Sequence, residues 1–358
     1  MSHSLIVLPD DTAKPFLDAI NKAKKSIRVK MFLFSHPDLV DAIIQAKKRG
    51  VHVRVMLNPA RRGGESENTD THKKLKAAGI EVIDSNPAFD VTHEKSMVVD
   101  DELAFIQSLN WDIKNLTDTR DYAVVTAHLN EVQEVIKCFE ADWERKPFNV
   151  DSRALLIWCN INGRDRIASF IDNAKHTLFV QNERYQDSVI IERLVRAKER
   201  GVKVHVMAKP AHKLTKEKLT EGVGGLRIMD DVGIKIHKLK HLKLHGKILL
   251  ADHSRAIIGS INLAPGSFDS RRELAIEVHH PDIIERLRKI LHHDWKHSQP
   301  LDLSDEGLLE ELEKHKIDGA EELALHGRSK NISVKGKASK KATKSKKPSK
   351  AAGKKKRS

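Results

Sequence analysis

The sequence is poor in cysteine and in aromatic residues. Its 358 residues include two cysteines, Cys138 and Cys159, and 4% Phe, Trp and Tyr. Two cysteines cannot build a disulfide framework, and neither has neighbours at metal-ligand spacing, so no metal site is expected there. We predict that both are packed or half-buried free thiols. The scarcity of aromatic rings also disfavours single-stranded nucleic acid, whose bases stack on such rings.

Long apolar runs are missing as well. No stretch approaches the roughly 18 to 20 apolar residues that a bilayer-spanning helix needs. The first residues, MSHSLIVLPDD, contain no basic region and only a short apolar run, so no Sec-type export signal is expected. The sequence therefore predicts a cytoplasmic protein whose membrane contact, if any, is peripheral. Export by a dedicated secretion machine would leave no signal of this kind.

Acidic residues are missing from the last 30 positions. Residues 329–358 hold 12 Lys and 1 Arg, which leaves 51 basic and 50 acidic side chains in residues 1–328. The formal net charge of +14 therefore belongs to a tail, whereas the body is nearly neutral. A tail rich in Lys, Ser, Ala and Gly is predicted to be disordered. Three roles fit it: contact with nucleic acid, contact with an anionic bilayer, or solubility alone.

The chain contains an internal repeat. The segment AKKRGVHVRVMLNP at 46–59 recurs as AKERGVKVHVMAKP at 197–210, an offset of 151. Further on, HEKSMVVD at 93–100 recurs as HGKILLAD at 245–252, an offset of 152. One residue of drift is what gene duplication followed by a loop change would leave. We therefore predict two similar halves of ordinary domain size.

Each half alternates helical and strand patterns. Residues 12–25 and 38–49 have apolar positions at helical spacing, and SIRVKMFLF and VHVRVML are β-branched runs between turn signals. Such alternation predicts an α/β fold in which each half is a mostly parallel, helix-flanked sheet. The predicted parts are an N-terminal half (1–150), a C-terminal half (151–300), a helical extension (301–328) and the disordered tail (329–358).

Both halves carry the pattern H-x-K-x-x-x-x-D. A chain of this length and composition would show it by chance on the order of a tenth of the time. Chance rarely places two copies at equivalent positions of a repeat, and here each copy is followed by Ser-x-Asn eight residues after its Asp. The residues are His93, Lys95, Asp100, Ser108 and Asn110 in the first half, and His245, Lys247, Asp252, Ser260 and Asn262 in the second.

The two motifs suit phosphodiester chemistry. Residues i and i+2 of a strand face the same side, so His93 and Lys95 point together, as do His245 and Lys247. One neutral histidine can attack phosphorus while the other, protonated, donates to the leaving oxygen. Both lysines and both asparagines would surround the phosphate and neutralise charge without a metal or another cofactor.

These paired motifs resemble the phospholipase D superfamily over about residues 1–300. The resemblance implies one active site at the interface of the halves and a covalent phosphohistidine that water or an alcohol resolves. It implies that His93 is the nucleophile and His245 the acid. It also implies that Asp121 and Glu273, matched at offset 152, orient the histidines, and that Ser108 and Ser260 support the phosphate pocket.

Three expectations qualify this site. Asp100 and Asp252 are expected to hold strand and loop geometry rather than to touch substrate. Gln107 stands where the second half has Gly259, so the first half's backbone is expected to approach the phosphate less closely. The four-residue spacing of His237, His241 and His245 would form a zinc-binding face on a helix, but the alternating pattern around it favours a strand.

Four functions remain open at this point. The first is a phospholipase D-like hydrolase or phosphatidyltransferase acting on phospholipids, which the near-neutral body favours. A nuclease of the same superfamily and a cardiolipin synthase-like transferase would use the same histidines. A nucleic-acid-binding or scaffold protein with a decayed site is the reading outside enzymes, although both histidines, lysines and asparagines are present. Neither the substrate nor the oligomeric state follows from the sequence.

Overall fold

A computed structural model of the chain describes residues 2–59, 67–150, 153–213 and 216–316. The predicted disordered tail, residues 329–358, lies outside the described residues, as do residues 317–328 of the predicted helical extension. Within the described ranges, every helix is too short or too polar to span a bilayer.

The first half contributes a sheet flanked by helices. Its strands are β1 (His3–Leu8), β2 (Ser26–Met31), β3 (His52–Leu57), β4 (Glu81–Asp84), β5 (Val91–Thr92), β6 (Ser96–Val99), β7 (Leu103–Gln107) and β8 (Thr119–Thr126). Its helices are α1 (Lys14–Lys22), α2 (Pro37–Lys48), α3 (Thr69–Ala77), α4 (Ile113–Thr117) and α5 (Leu129–Trp143).

The second half repeats the arrangement. Its strands are β9 (Ile157–Trp158), β10 (Thr177–Gln181), β11 (Lys203–Met207), β12 (Lys235–Leu239), β13 (Lys243–Leu244), β14 (Lys247–Ala251), β15 (Arg255–Gly259), β16 (Arg271–Arg272), β17 (Leu274–Val278) and β18 (Ser298–Pro300). Its helices are α6 (Gly163–Asp172), α7 (Ser188–Glu199), α8 (Lys216–Asp231), α9 (Pro265–Asp269), α10 (Pro281–Lys296) and, within the predicted extension, α11 (Asp305–Lys314); Ala211–Lys213 form a short 3₁₀ turn.

The two sheets have the same strand order. The first runs β1-β8-β7-β6-β2-β3-β4 and the second β9-β17-β15-β14-β10-β11-β12, with β18 added at its edge. This confirms the predicted α/β fold with two similar halves. The sheets are mixed, however, and the prediction of mostly parallel sheets holds only for β2-β3-β4 and β10-β11-β12. The motif strands β6 and β14 enter tight hairpins, which require antiparallel neighbours.

The segment with three evenly spaced histidines is extended, as predicted. His237 lies in β12, and its ring stacks on Trp295 with ring centres 3.9 Å apart. His241 and His245 fall in the connections before and after β13. The three imidazoles therefore do not share a helical face, and the zinc alternative loses its geometric basis.

An apolar core shared by both sheets holds the halves together. Each sheet buries one face under its own helices: α1 and α2 in the first half, α6 and α7 in the second. The other faces meet in a common cluster that includes Ile106 and Val124 from the first sheet and Ile258 and Ile276 from the second. Because both faces are buried, the motif strands are almost continuously apolar.

The motif aspartates lie at the far end of their strands from the histidines. The Asp100 carboxylate accepts hydrogen bonds from the backbone N–H groups of Lys24, Lys25 and Ser26 at 2.9, 2.7 and 2.9 Å. Asp252 does the same for Lys175, His176 and Thr177. Seven residues of extended chain separate Asp100 from His93, roughly 20 Å. Their inclusion among the catalytic residues of the motif is therefore corrected: both carboxylates bind backbone, as their expected geometric role requires.

Replacing Asp100 with Ala should lower the free energy of unfolding by about 1–2 kcal/mol, because three backbone donors lose a charged acceptor but remain within reach of water. Those donors hold the pKa of Asp100 below its ordinary value against the opposing effect of burial. A lowered folded-state pKa stabilises the fold above the unfolded value near 4, and the contribution disappears as pH falls through the folded value. Urea unfolding at pH 7 and pH 3 should show the variant's deficit shrinking in acid.

Candidate active site

Two short strand pairings cross between the halves. β5 runs parallel to β16, with Thr92 opposite Arg272, and β13 runs parallel to β8, with Leu244 opposite Arg120. His93 follows β5 directly, and His245 follows β13. The pairings therefore place His93 beside Glu273, the residue after Arg272. In the same way they place His245 beside Asp121, the residue after Arg120.

Each histidine binds a carboxylate from the opposite half. His93 Nδ1 lies 2.9 Å from Glu273 Oε2, and His245 Nδ1 lies 2.8 Å from Asp121 Oδ1. Both acids are completely buried. The bond at Nδ1 fixes the orientation of each ring and directs Nε2 toward the space between the halves. The sequence indicated that these acids orient histidines, but the exchange of partners follows only from the crossed pairings.

Both acids are stabilised as carboxylates. Burial favours the neutral form of Asp121, but the charge and hydrogen bond of His245 hold its pKa below the ordinary value. Thr119 Oγ1 and Ser108 Oγ also donate to Asp121 at 2.6 and 2.5 Å. Burial also favours the neutral form of Glu273, but the hydrogen bond from His93 and the charges of Arg271 and Lys95 help to hold its pKa below the ordinary value. An ionised partner is what an orienting acid needs in order to hold an imidazole N–H.

His93 is a neutral imidazole at physiological pH. Burial, and next the positive charge of Lys95, lower the pKa of His93 to about 3 even though Glu273 is hydrogen-bonded to it. The ring keeps a lone pair on Nε2 because Nδ1 carries the proton donated to Glu273. His93 therefore has the protonation state that a nucleophile requires.

The two motif lysines face one pocket. Each ammonium group donates to the main-chain carbonyl of its own histidine, Lys95 to His93 and Lys247 to His245. Burial and then the charge of Lys247 lower the pKa of Lys95 well below its ordinary value, so the two cations interact across the interface. A bound phosphate would relieve this repulsion, which makes the pocket suited to an anion.

The asparagines and serines occupy different positions around this pocket. Asn110 and Asn262 are buried, and in the described part of the chain the Oδ1 of each has no hydrogen-bond partner. Ser108 lies behind the pocket because its Oγ donates to Asp121 and accepts from the Tyr122 N–H. Ser260 exchanges hydrogen bonds with the Leu274 backbone at 3.3 and 3.1 Å. The two Oδ1 atoms are thus available to accept from a ligand, while Asn110 Nδ2 donates to Asn115 Oδ1 at 3.1 Å. The serines instead brace the segments that carry the acids.

The difference between Gly259 and Gln107 has a packing cause. A Cβ on Gly259 would come 2.2 Å from the Leu274 carbonyl oxygen and 2.4 Å from Ala275 Cα, both backbone atoms of β17. In the first half the Gln107 side chain instead accepts a hydrogen bond from Trp111 Nε1 at 2.9 Å. The position therefore sets how closely one strand approaches the next. That the first half's backbone approaches the phosphate less closely remains a prediction.

Two buried arginine–aspartate pairs, absent from the predicted site, hold the acids in place. Arg120 donates from Nε and Nη2 to Asp294 at 2.9 and 3.0 Å, and Arg272 does so to Asp142 at 3.0 and 2.9 Å. Each arginine directly precedes an orienting acid, Arg120 within β8 and Arg272 at the end of β16. In extended chain, successive side chains point to opposite sides. The pairs therefore clamp each acid-bearing strand onto the other half. Arg120 and Arg272 recur at offset 152, a signal that could have identified them.

Cys138 belongs to a second buried cluster beneath the first motif. Its Sγ, Glu94 and Asp142 lie close enough together to hold a metal ion. The ammonium of Lys30 already occupies the centre, 2.9 Å from Glu94, 2.7 Å from Asp142 and 3.4 Å from Sγ. An organic cation thus fills the position that a metal would take. Cys138 and Cys159 are both buried free thiols, as predicted.

The fold and this crossed pair of H-x-K motifs define a member of the phospholipase D superfamily, as the sequence resemblance indicated. The chain belongs to the family described as cardiolipin synthase, PLD-like domain, whose model matches residues 16–143 and again 167–295. One match in each half supports the internal duplication. The exact division of the chain into parts remains a prediction.

Curated relatives agree with this family, and solved structures share the fold. A cardiolipin synthase of Clostridium perfringens is 24% identical over 324 residues, covering 77% of this chain and 67% of that protein. Cardiolipin synthase B of Salmonella typhimurium is 24% identical over 318 residues, covering 76% and 75%. The structure of a Haemophilus influenzae phosphatidylserine synthase matches with TM-score 0.63 and 11% identity over 84% of this chain and 87% of that one. A Porphyromonas gingivalis polyphosphate kinase matches with TM-score 0.66 and 17% identity over 84% of this chain but 48% of the kinase; both likenesses concern the fold.

Asp142→Asn should lower the free energy of unfolding by about 3–5 kcal/mol, because it leaves the buried cations Lys30 and Arg272 without their shared carboxylate. Asp294→Asn should lower the free energy of unfolding by less, because it removes a partner from one cation, Arg120, and Arg120 also pairs with Asp10. Denaturant unfolding measures both. The matched control is Asp18→Asn, which removes an exposed pair with Lys14 and should leave stability essentially unchanged; an equally tolerant Asp142→Asn would contradict the clamp.

Proposed function

We propose that the protein is a phosphatidyltransferase of the cardiolipin synthase type, which moves a phosphatidyl group from one phospholipid to an alcohol acceptor. The observation that carries the proposal is the pair of imidazoles, each held at Nδ1 by a buried acid of the other half, beside two buried lysines. The names of the relatives favour transfer over hydrolysis. Hydrolysis is the same reaction with water in place of the alcohol as the acceptor of the phosphatidyl group.

In the first proposed step, Nε2 of neutral His93 attacks phosphorus and the bond to the leaving oxygen breaks. His245 donates its Nε2 proton to that oxygen, so the headgroup leaves as a neutral alcohol. Lys95 and Lys247 neutralise the charge that builds on the non-bridging oxygens. The products of this step are the free alcohol and a phosphohistidine on His93, with His245 now neutral.

In the second proposed step, His245 accepts the proton of the acceptor hydroxyl as that oxygen attacks phosphorus. The bond between phosphorus and His93 Nε2 breaks, and both histidines return to their starting protonation states. Asn110 and Asn262, both buried beside the pocket, are proposed to hold phosphate oxygens in both steps by donating from Nδ2. No metal enters this scheme because the chain's own lysines supply the positive charge.

A phospholipid rather than a nucleic acid is the proposed substrate. A groove that binds a long polyanion is usually basic along its length, whereas residues 1–328 carry 51 basic and 50 acidic side chains. We further propose that the protein works from the cytoplasm at an anionic membrane surface, where the Lys-rich tail at 329–358 would concentrate it by electrostatic attraction. The oligomeric state is left open.

The test is to incubate the full chain and a chelator with phosphatidylglycerol vesicles, and separately with plasmid and single-stranded DNA. We expect a product in which two phosphatidyl groups share one glycerol, with release of free glycerol. His93→Ala and His245→Ala should each lower the rate at least about 100-fold, because each removes a proton-transfer or nucleophilic group. His52→Ala, at an exposed histidine, is the matched control and should retain full activity.

Other outcomes would change the assignment. Phosphatidic acid as the only lipid product would replace the transferase by a hydrolase. Cleavage of DNA that depends on His93 and His245, with the lipid intact, would replace it by a nuclease. Activity that disappears with chelator and returns with a divalent cation would reject the metal-independent mechanism.

The acid side of the pH profile provides a second prediction. Because burial and Lys95 lower the pKa of His93 to about 3, the nucleophile stays neutral from pH 7 down to about pH 4. A plot of kcat/KM against pH should therefore show no loss of activity near 6.5, the ordinary histidine value. Circular dichroism at each pH controls for unfolding. An acid limb near pH 6.5 in folded protein would contradict the assigned protonation state.

A further inference from the structure

The two halves differ at one position of the pocket wall. Phe32 follows β2 and Glu183 follows β10, at the offset of 151 that relates these strands. Two residues further along, Phe34 forms an isolated β-bridge with Trp111, and Tyr185 forms one with Leu263. The backbones of the two halves therefore correspond at this position. A duplicated site with otherwise matched chemistry thus has an aromatic ring on one side and a carboxylate on the other.

The aromatic ring lies against the first motif. The centre of the Phe32 ring is 5.0 Å from the centre of the His93 ring and 5.0 Å from Lys95 Nζ. The Phe32 ring contributes to the burial of His93, and it carries no negative charge that could hold a proton on Nε2. The wall beside His93 therefore favours the neutral form.

The carboxylate lies against the second motif. Glu183 Oε2 is 2.7 Å from Lys247 Nζ and 3.7 Å from His245 Nε2. Its other oxygen pairs with Lys209, which stands where the first half has Asn58. The side chain is 11% exposed. His245 thus has carboxylates near both ring nitrogens, Asp121 at Nδ1 and Glu183 at Nε2. Among the residues that the structure describes, the acid paired with His93 is Glu273 at Nδ1.

We propose that Glu183 is a positioning residue that commits His245 to proton transfer, by holding a proton on its Nε2, while Phe32 leaves His93 neutral for attack on phosphorus. This inference rests on the proposed function. Under this proposal, the two equivalent motifs take different catalytic roles because the halves differ at one position. That position, Phe32 in one half and Glu183 in the other, lies outside both motifs.

The surrounding charges support a constant negative charge on Glu183. Burial would favour its neutral form, but the charges of Lys209 and Lys247 hold the pKa of Glu183 well below the ordinary value. The groups that face His245 are Asp121 from β8, Asp112 at the start of α4, Glu183 after β10, and Lys247 from its own strand. Glu183 is the member of this group that lies closest to His245 Nε2, at 3.7 Å. Glu183 stays ionised throughout the working range, so it acts on His245 without titrating itself.

The experiment compares wild type with Glu183→Gln on two soluble phosphodiesters, one with a 4-nitrophenolate leaving group and one with an alkyl alkoxide leaving group. Nitrophenolate leaves without a proton, whereas alkoxide requires one. We expect the alkaline limb of kcat/KM for the alkyl diester to move about one unit to lower pH, since a charge within 4 Å is removed. At pH 8 this is about a tenfold loss for the alkyl diester, with less than about twofold for the nitrophenyl diester.

Each result has a distinct meaning. A folded Glu183→Gln protein with an unchanged alkaline limb, or with equal losses on both diesters, would overturn the inference while leaving the phosphodiesterase intact. A wild-type protein inactive on both diesters and on phospholipid vesicles would instead reject the proposed function. Glu81→Gln, at an exposed carboxylate paired with His52, is the matched control and should not move the limb.

A second variant covers the case in which Glu183→Gln does not fold because Lys209 is left unpaired. Glu183→Gln combined with Lys209→Met removes both charges, and such neutral replacements of a buried pair are often tolerated. Lys209 binds the oxygen of Glu183 that is turned away from His245, so the alkaline limb should still move to lower pH. An unmoved limb in this double variant would also overturn the inference.

Discussion

The rest of the structure depends on the hydrogen bond between a histidine of one half and a buried carboxylate of the other. That bond requires two strands from different sheets to meet in register, and the parallel pairings of β5 with β16 and β13 with β8 provide it. The apolar core between the sheets and the bidentate Arg120–Asp294 and Arg272–Asp142 pairs keep those strands from shifting. Residues with no contact to substrate are therefore needed to place the imidazoles within hydrogen-bond reach.

Electrostatics then divides roles between two copies of one motif. Burial and Lys95 keep His93 neutral, and the two motif lysines place positive charge where a phosphate would bind. The same low-polarity surroundings that make an unpaired ammonium costly strengthen its attraction to a bound anion. Substrate binding and charge neutralisation in the transition state thus draw on one arrangement of Lys95 and Lys247.

Much of this could be predicted from the sequence, because duplication repeats its signals. The α/β halves, the extended segment around His237 and the candidate histidines, lysines and asparagines all followed from patterns seen twice. The partner of each histidine could not be predicted, since an offset of 152 matches Asp121 with Glu273 but does not say which ring either acid binds. Glu183 could not be predicted either, because its counterpart in the first half is Phe32. The repeat points only to positions where both copies have the same or similar residues. The mixed sheet direction followed from hairpin turns that the strand pattern alone did not reveal.

The exchange of acids has a consequence for how the halves can exist. Neither half contains a complete histidine–acid couple, since the carboxylate that orients His93 comes from residue 273 and the one that orients His245 from residue 121. Cut near residue 150, the protein would become two subunits, and the couples His93–Glu273 and His245–Asp121 would form only when the two subunits associate. The covalent connection then serves chiefly to raise the effective concentration of one half for the other. A self-paired first half would also place two Phe32 rings in the pocket and no Glu183, so divergence has made the two copies complementary rather than interchangeable.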